Sequence, residues 1–293
     1  MVVVDKDYLI NLVDNAQYGG NLMTIKLVAL DVDDTLLNSQ GHILASTKYA
    51  LQNLLEEGVK VVLCSGRPLR GIQPFLNELG ISGADQYAIT YNGSVIESLA
   101  GDILLQKGLS NDEYRHIDAY ANEQHIQYYV LDQDGEVYTS NHDVSRIAVI
   151  QAWENDAGIF IRTPDELADD FTIVKAAFVG EKAALDKVED GVHAAFADKN
   201  YVVRAADNFL EVMHQSVNKG NGLTQLTGKL GISPAEVMVF GDEKNDIPMF
   251  DFAGQAVAMG NGSAAAKAHA DYVTDSNDED GIANALQKLV FKK

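Results

Sequence analysis

Leu30-Asp31-Val32-Asp33-Asp34-Thr35-Leu36-Leu37 carries three carboxylates directly after the apolar run Ile25-Lys26-Leu27-Val28-Ala29-Leu30. Like charges this close raise one another's pKa and are costly to keep together without a cation. An all-oxygen set of this kind favours Mg²⁺. In isolation, an acidic turn on an acidic protein would look the same. A second apolar run, Val237 to Phe240, empties into Gly241-Asp242-Glu243-Lys244-Asn245-Asp246. Two such strand ends side by side would make a divalent-cation site; alone, the second is an acidic loop that N-caps a helix. Cys64-Ser65-Gly66-Arg67-Pro68 follows another apolar run and precedes a helical pattern. A hydroxyl, a glycine amide and a helix N-terminus together suit a phosphate, although Ser as N-cap and Pro near the start are also what an ordinary helix uses. Cys64 itself reads as a small buried hydrophobe. Finally, Asn218-Lys219-Gly220 opens a predicted helix. A lysine there opposes the helix dipole, and a bound anion would relieve the conflict; a solvated surface lysine is the plain alternative.

These loops need elements to hold them. Ala45 to Glu57 is amphipathic, with Ala50, Leu51, Leu54 and Leu55 on one face, and Gly58 ends it. Val59 to Cys64 reads as a strand, Arg67 to Leu79 as a helix closed by Gly80, and Tyr87 to Thr90 as a short strand. Strands alternating with helices predict a parallel sheet covered on both faces. Carboxyl ends of strands in such sheets are where ligands bind, and three of the four segments above sit at those ends. Near Gly93 the rhythm changes to hairpin-like strands around Val95 and Ile103, a helix from Asn111 to Gln124, and strands flanking Asp132-Gln133-Asp134-Gly135, a hairpin turn signal. Helices over Val144–Asn155 and Lys182–Phe196 and strands over Thr172–Phe178 and Tyr201–Ala205 follow. The first rhythm then returns with a helix from Lys219 to Leu230, strands at Val237, Ala256 and Tyr272, and a closing helix from Gly281 to Val290. The expected architecture is therefore α/β: a Rossmann-like parallel-sheet core formed by residues 23–92 and 211–293, with an α+β module, residues 93–210, inserted into it.

Met1 to Leu22 does not read as the start of this fold. It is acidic, holds the turn signal Tyr18-Gly19-Gly20 and ends just before a second methionine, Met23. Gly19-Gly20 can be encoded by a GGAGG-like ribosome-binding element, so one reading starts translation at Met23; the other is a helical extension around Tyr8 to Val13. The chain of 293 residues suggests two domains or one large one, and 46% hydrophobic residues is ample for a core. A net charge of −21 argues against nucleic acid or an anionic membrane as partner. It leaves room for a small anionic substrate where a metal and local donors invert the field. The single cysteine excludes an intrachain disulfide. With no apolar run of membrane-spanning length, the expected setting is cytoplasmic.

Taken in order and on these elements, the four segments resemble the haloacid dehalogenase superfamily of phosphohydrolases, with Asp31-x-Asp33-x-Thr35, Ser65-Gly66-Arg67, Lys219-Gly220 and Gly241-Asp242-x-x-Asn245-Asp246 matching its four motifs. The insertion after Tyr91-Asn92-Gly93 resembles the large α+β cap of the Cof-type subfamily. Asp34 departs from the pattern, where glycine is more usual, and its side chain is expected to point away from phosphate. The resemblance implies that Asp31 is the nucleophile and forms an aspartyl-phosphate, and that Asp33 is the general acid–base. It implies that the Val32 and Gly66 amides, Ser65 and Asn245 hold phosphoryl oxygens, and that Lys219 offsets charge on phosphate and on Asp31. Asp31, the Asp33 backbone carbonyl and Asp242 would bind Mg²⁺, with Glu243 a weaker candidate. Thr35 would shape the loop, Asp246 would support Lys219 or metal-bound water, and Asn92 and Arg67 would edge the site. The implied activity is Mg²⁺-dependent hydrolysis of a small phosphorylated metabolite, such as a sugar phosphate. A phosphomutase keeps the same residues. A phospho-accepting switch is the reading from a different class, against which Asp33 argues, because an acid–base would hydrolyse the phosphoprotein. Dehalogenation needs neither Asp33 nor a metal site at Asp242. Trp153, Tyr128, Tyr129 and Tyr138 are expected to pack in the inserted module, and His214 to lie at a surface or hinge position.

Overall fold

The computed structural model describes residues 25–291, so the expectations for Met1 to Leu22 lie outside the described residues. The chain runs β1 (Leu27–Leu30), α1 (Ala45–Glu56), β2 (Lys60–Cys64), α2 (Leu69–Leu79), β3 (Tyr87–Thr90), β4 (Val95–Ser98) and β5 (Ile103–Gln106). It continues through α3 (Asn111–Gln124), β6 (Gln127–Leu131), β7 (Val137–Thr139), α4 (Arg146–Glu154), β8 (Ile159–Ile161), β9 (Lys175–Val179), α5 (Lys182–Phe196), β10 (Asn200–Ala206) and β11 (Phe209–His214). It closes with α6 (Lys219–Leu230), β12 (Val237–Gly241), α7 (Ile247–Phe252), β13 (Gln255–Ala258), α8 (Ala264–His269), β14 (Tyr272–Val273) and α9 (Gly281–Leu286).

Two sheets result. The larger is eight-stranded in the order β14-β13-β12-β1-β2-β3-β4-β5, and the smaller is six-stranded in the order β10-β11-β9-β6-β7-β8. From β14 to β3 the larger sheet is parallel, with β1 central between β12 and β2. Its strands read as unbroken apolar runs because both faces are covered. Leu30, Leu63 and Phe240 face one buried layer with α1 and α2, while Ala29, Val62 and Val239 face the other with α6 and α7. This central placement leaves the carboxyl ends of β1, β2 and β12 side by side.

Two boundaries shift from the sequence reading. The hairpin at Val95 and Ile103, expected in the inserted module, extends the larger sheet as antiparallel strands β4 and β5. β11, holding Glu211, belongs to the smaller sheet. The chain therefore crosses between sheets after Gln106 and after His214, not at residues 92 and 210. A local hairpin signal says nothing about which sheet edge it will join. The two crossings run side by side, with Lys107 and Ser216 lining one groove; His214 sits there, its Nδ1 accepting the Ser216 N–H at 3.2 Å.

In the smaller sheet Tyr128 and Tyr129 are fully buried as expected, and Tyr138 stacks on Phe160. Trp153 is a correction: it is 81% exposed. Helix α4 buries Ile147, Ala148, Gln151 and Ala152, which puts Trp153 on the opposite face with Val149 and Ile150. Among the described residues no helix is long and apolar enough to cross a membrane.

Candidate active site

The site sits where β1, β2 and β12 end. Asp31 follows β1, and its N–H donates to the Phe240 carbonyl at 3.0 Å, which extends the parallel ladder by one residue and fixes the start of the loop. The tight loop Val32–Leu36 then closes on itself, with the Leu36 N–H donating to the Asp31 carbonyl at 3.2 Å and the Leu37 N–H to the Val32 carbonyl at 2.9 Å. Asp34 takes a left-handed conformation, φ 58°. This is a conformation that glycine adopts without strain and that Asp tolerates better than most residues. Its side chain is exposed.

Lys219 is the pivot. It is fully buried at the first position of α6, not solvated, and its Nζ donates to Asp31 Oδ1 at 2.5 Å and to Asp246 Oδ1 at 2.6 Å. The adjacent Gly220 lets α6 approach so closely: a Cβ there would stand 2.1 Å from the Pro248 carbonyl oxygen. Burial by itself would favour the neutral amine, but Asp246 and Asp31 outweigh it and hold the ammonium charged, with its pKa raised. The other oxygen of Asp246, Oδ2, accepts the N–H groups of Asp242 at 2.9 Å and Glu243 at 3.0 Å. Gly241 makes room for it, since a Cβ at 241 would lie 2.5 Å from the Asp246 carboxyl carbon. Both oxygens of Asp246 are thus committed to positioning Lys219 and the loop after β12.

Asp31, Asp242 and Asp246 each bring a carboxylate oxygen, and these oxygens lie within 4.8 Å of one another. Asp31 and Asp242 are buried, and Thr35 Oγ1 donates to Asp242 Oδ1 at 3.1 Å. Burial pushes the Asp31 carboxyl well above the usual range, opposed by Lys219 and reinforced by Asp246, Asp242 and Asp33. Burial, with Asp246 adding to it, pushes Asp242 up to about 7. One lysine cannot balance three buried acids, so the donor set fits a hard divalent cation. The Asp33 carboxylate stands outside this cluster. Half-exposed, it is gripped by Arg67 through Nε at 2.9 Å and a terminal nitrogen at 2.6 Å. Glu243 is exposed, and its carboxylate accepts the Lys244 N–H at 3.1 Å.

Ser65 is fully buried after β2, with its Oγ accepting the Arg67 N–H at 3.1 Å. Asn92, in a left-handed conformation, donates its N–H to the Ser65 carbonyl at 2.9 Å, and its Oδ1 accepts Asn245 Nδ2 at 3.4 Å. Asn92 therefore ties the Ser65 loop to the loop after β12. Cys64 is buried beneath them, its thiol pushed up to about 12, chiefly by burial. The family model for haloacid dehalogenase-like hydrolases matches residues 28–286, which hold every one of these side chains. The chain belongs to that family. Among relatives of this haloacid dehalogenase-like chain, "Putative phosphatase YxeH" of Bacillus subtilis (strain 168) is 34% identical over 92% of this chain and 99% of the relative. "5-amino-6-(5-phospho-D-ribitylamino)uracil phosphatase YcsE" of the same organism is 28% identical over 91% and 96%. The crystal structure of a haloacid dehalogenase-like hydrolase from Bacteroides thetaiotaomicron superposes with a TM-score of 0.79 at 31% identity, covering 90% of this chain and 99% of that one. The activity class is phosphatase.

The sequence reading had no place for three further residues at this site. Lys175 and Glu211, on β9 and β11, are buried against the Ser65 loop. Their only signal was a charge inside an otherwise apolar strand. Tyr201 on β10 lies within electrostatic reach of Glu211, Lys219 and Asp246, and its phenol is raised mainly by burial. Nothing in its local sequence distinguishes it.

Proposed function

We propose that this chain is an Mg²⁺-dependent phosphomonoesterase for small phosphorylated metabolites, working through an aspartyl-phosphate on Asp31. The observation that carries the reading is the buried Lys219 held between Asp31 and Asp246, with Asp242 beside them. A carboxylate placed against an ammonium is oriented to attack, and the same ammonium can neutralise an incoming phosphoryl oxygen. The Asp31 and Asp242 carboxylates, with the Asp33 carbonyl, would hold the cation. When bound, it supplies charge neutralisation to the phosphoryl oxygens.

In this reading an Asp31 oxygen forms a bond to phosphorus as the bond to the leaving oxygen breaks. Asp33 delivers a proton to that oxygen, then accepts one from the water that cleaves the acyl phosphate, and orthophosphate leaves. Arg67 engages both Asp33 oxygens with one bond each, so proton transfer would use the lone pairs that these bonds leave free. Ser65 Oγ, the Gly66 and Val32 amides and Asn245 would hold phosphoryl oxygens. The module around the smaller sheet would act as the cap, closing water out and contacting the leaving group. The relative named for a ribitylaminouracil phosphate supports a small phosphorylated metabolite as the class. The test is phosphate release from a panel of phosphomonoesters with Mg²⁺ and with chelator. Turnover that needs the metal and vanishes in Asp31→Asn supports the reading; a stable phosphoprotein without turnover, or full activity in chelator, overturns it.

A further inference from the structure

Lys175 opens β9 and Glu211 lies in β11, its neighbour in the smaller sheet, at positions 3% and 4% exposed. The residues beside them on the same face of the sheet, Tyr129, Leu131 and Ala177, are wholly buried. Lys175 Nζ donates to Glu211 Oε1 at 2.6 Å. A buried ion pair of this sort is a poor source of stability, since apolar residues of similar volume do as well. What distinguishes this pair is where its remaining hydrogen bonds go. Lys175 Nζ also donates across the sheet boundary to the Gly66 carbonyl at 3.3 Å. Glu211 Oε2 accepts Asn92 Nδ2 at 2.9 Å.

Both bonds end on groups that orient phosphate contacts. The Gly66 carbonyl shares its peptide unit with the Arg67 N–H, which donates to Ser65 Oγ at 3.1 Å. An ammonium on that carbonyl polarises the peptide and strengthens its N–H as a donor. With one lone pair of Ser65 Oγ so occupied, the hydroxyl proton is left to point elsewhere. On the other arm, Glu211 fixes the Asn92 amide with Nδ2 toward itself, which leaves Oδ1 to face Asn245 Nδ2 at 3.4 Å. Asn92 is also packed on Gly66, where a Cβ would lie 3.4 Å from its Nδ2.

We propose that Lys175 and Glu211 are positioning residues, through which the smaller sheet sets the two phosphate-holding loops at Ser65-Gly66 and Asn245 in their working geometry. The proposal rests on the phosphomonoesterase reading. It makes orthophosphate affinity depend on residues that do not touch phosphate.

The experiment uses the full chain with Mg²⁺ and 4-nitrophenyl phosphate, competitive inhibition by inorganic phosphate, and a thermal melt of each variant. Glu211→Gln keeps the shape but turns an NH₂ group toward either Lys175 or Asn92. We expect its phosphate inhibition constant and KM to rise by about tenfold, the scale of one hydrogen bond to a charged group, with a smaller change in kcat. Asn245→Ala should then cost less in the Glu211→Gln background than in the parent. Should Glu211→Gln not fold, the double variant Lys175→Met, Glu211→Met removes both charges together and should fold with the same loss of phosphate affinity. An active parent whose folded variants keep the parental phosphate affinity, or whose Asn245→Ala effects simply add, overturns the proposal while leaving the phosphomonoesterase reading intact. A parent that neither hydrolyses the ester nor is inhibited by phosphate overturns both.

Discussion

Among the described residues two lysines are buried, and their surroundings differ in charge balance. Lys175 faces one carboxylate, Glu211, and the remaining bonds of the pair go to neutral groups, the Gly66 carbonyl and the Asn92 amide. Lys219 faces two carboxylates, with Asp242 close by. The first cluster is balanced: its two charges cancel, and each partner makes one further hydrogen bond to a neutral group. The second is left with net negative charge in a buried place, and that surplus is what a divalent cation would relieve. Two buried lysines can thus serve opposite ends, one holding geometry and the other leaving an electrostatic imbalance for a ligand to complete.

The largest effects should come from the unbalanced cluster. Asp31→Asn should lower kcat/KM by roughly 10⁴-fold or more, as removal of a nucleophile does, and Lys219→Met should both abolish turnover and lower the melting temperature. Loss of turnover without a lower melting temperature in Lys219→Met would mean that its two carboxylates find other partners. Next in size, Asp33→Asn should cut kcat by roughly 10²–10⁴-fold, more for alkyl phosphates than for 4-nitrophenyl phosphate, with Mg²⁺ affinity kept. Asp242→Asn should instead lose Mg²⁺ affinity, and excess metal should recover part of its rate. A Mg²⁺ titration of both variants with both esters checks this, and a swap of the two patterns would reverse the assigned roles.

The balanced cluster should answer in stability. Lys175→Met alone strands Glu211 and should cost about 3–5 kcal/mol, whereas Lys175→Met with Glu211→Met should restore most of it. Chemical denaturation of the three proteins would measure the difference. A single variant as stable as the parent would show the pair to be less buried in its energetics than in its geometry.

The smallest effect is a pH dependence. Asp242 is raised from its ordinary 3.8 to about 7 by burial and Asp246. A raised folded-state pKa contributes stability that is complete below the unfolded value and is lost as pH climbs through the folded one. Without metal, this group should therefore make the protein less stable at pH 8 than at pH 6. Mg²⁺ must displace the proton, so the rise in melting temperature on adding it should be greater at pH 8. Melts at the two pH values, with Mg²⁺ and with chelator, test the sign.

The same comparison explains what could be read in advance. Asp31, Asp242 and Lys219 announce themselves locally, because an apolar strand that ends in acids, or a lysine at a helix start, conflicts with its own surroundings. The parallel sheet was legible for a similar reason, since strands buried on both faces show unbroken apolar runs. Lys175 and Glu211 show only a charge inside an otherwise apolar strand, which names no partner. Their meaning depends on the antiparallel register of β9 with β11 and on the approach of Gly66 from the other sheet, none of which is encoded within a few residues of either. Trp153 misled because size suggested burial, while the periodicity of Ile147, Ala148, Gln151 and Ala152 already placed it on the far face. The β4–β5 hairpin was visible as a hairpin, but the choice of sheet lay with β3, to which β4 pairs.

The two neighbouring crossings after Gln106 and His214 have a mechanical consequence. A body tied by a single cord can swing and twist in any direction, whereas one tied by two adjacent cords keeps one easy rotation, like a door on its pin. Displacement then grows with distance from the crossings, so β8, at the far edge of the smaller sheet, would travel further than β9 and β11 for the same angle. Lys175 and Glu211 lie on those two strands, and an ion pair there can keep its partners through most of the swing and still register the last degrees of closure as a change of angle at the Gly66 carbonyl.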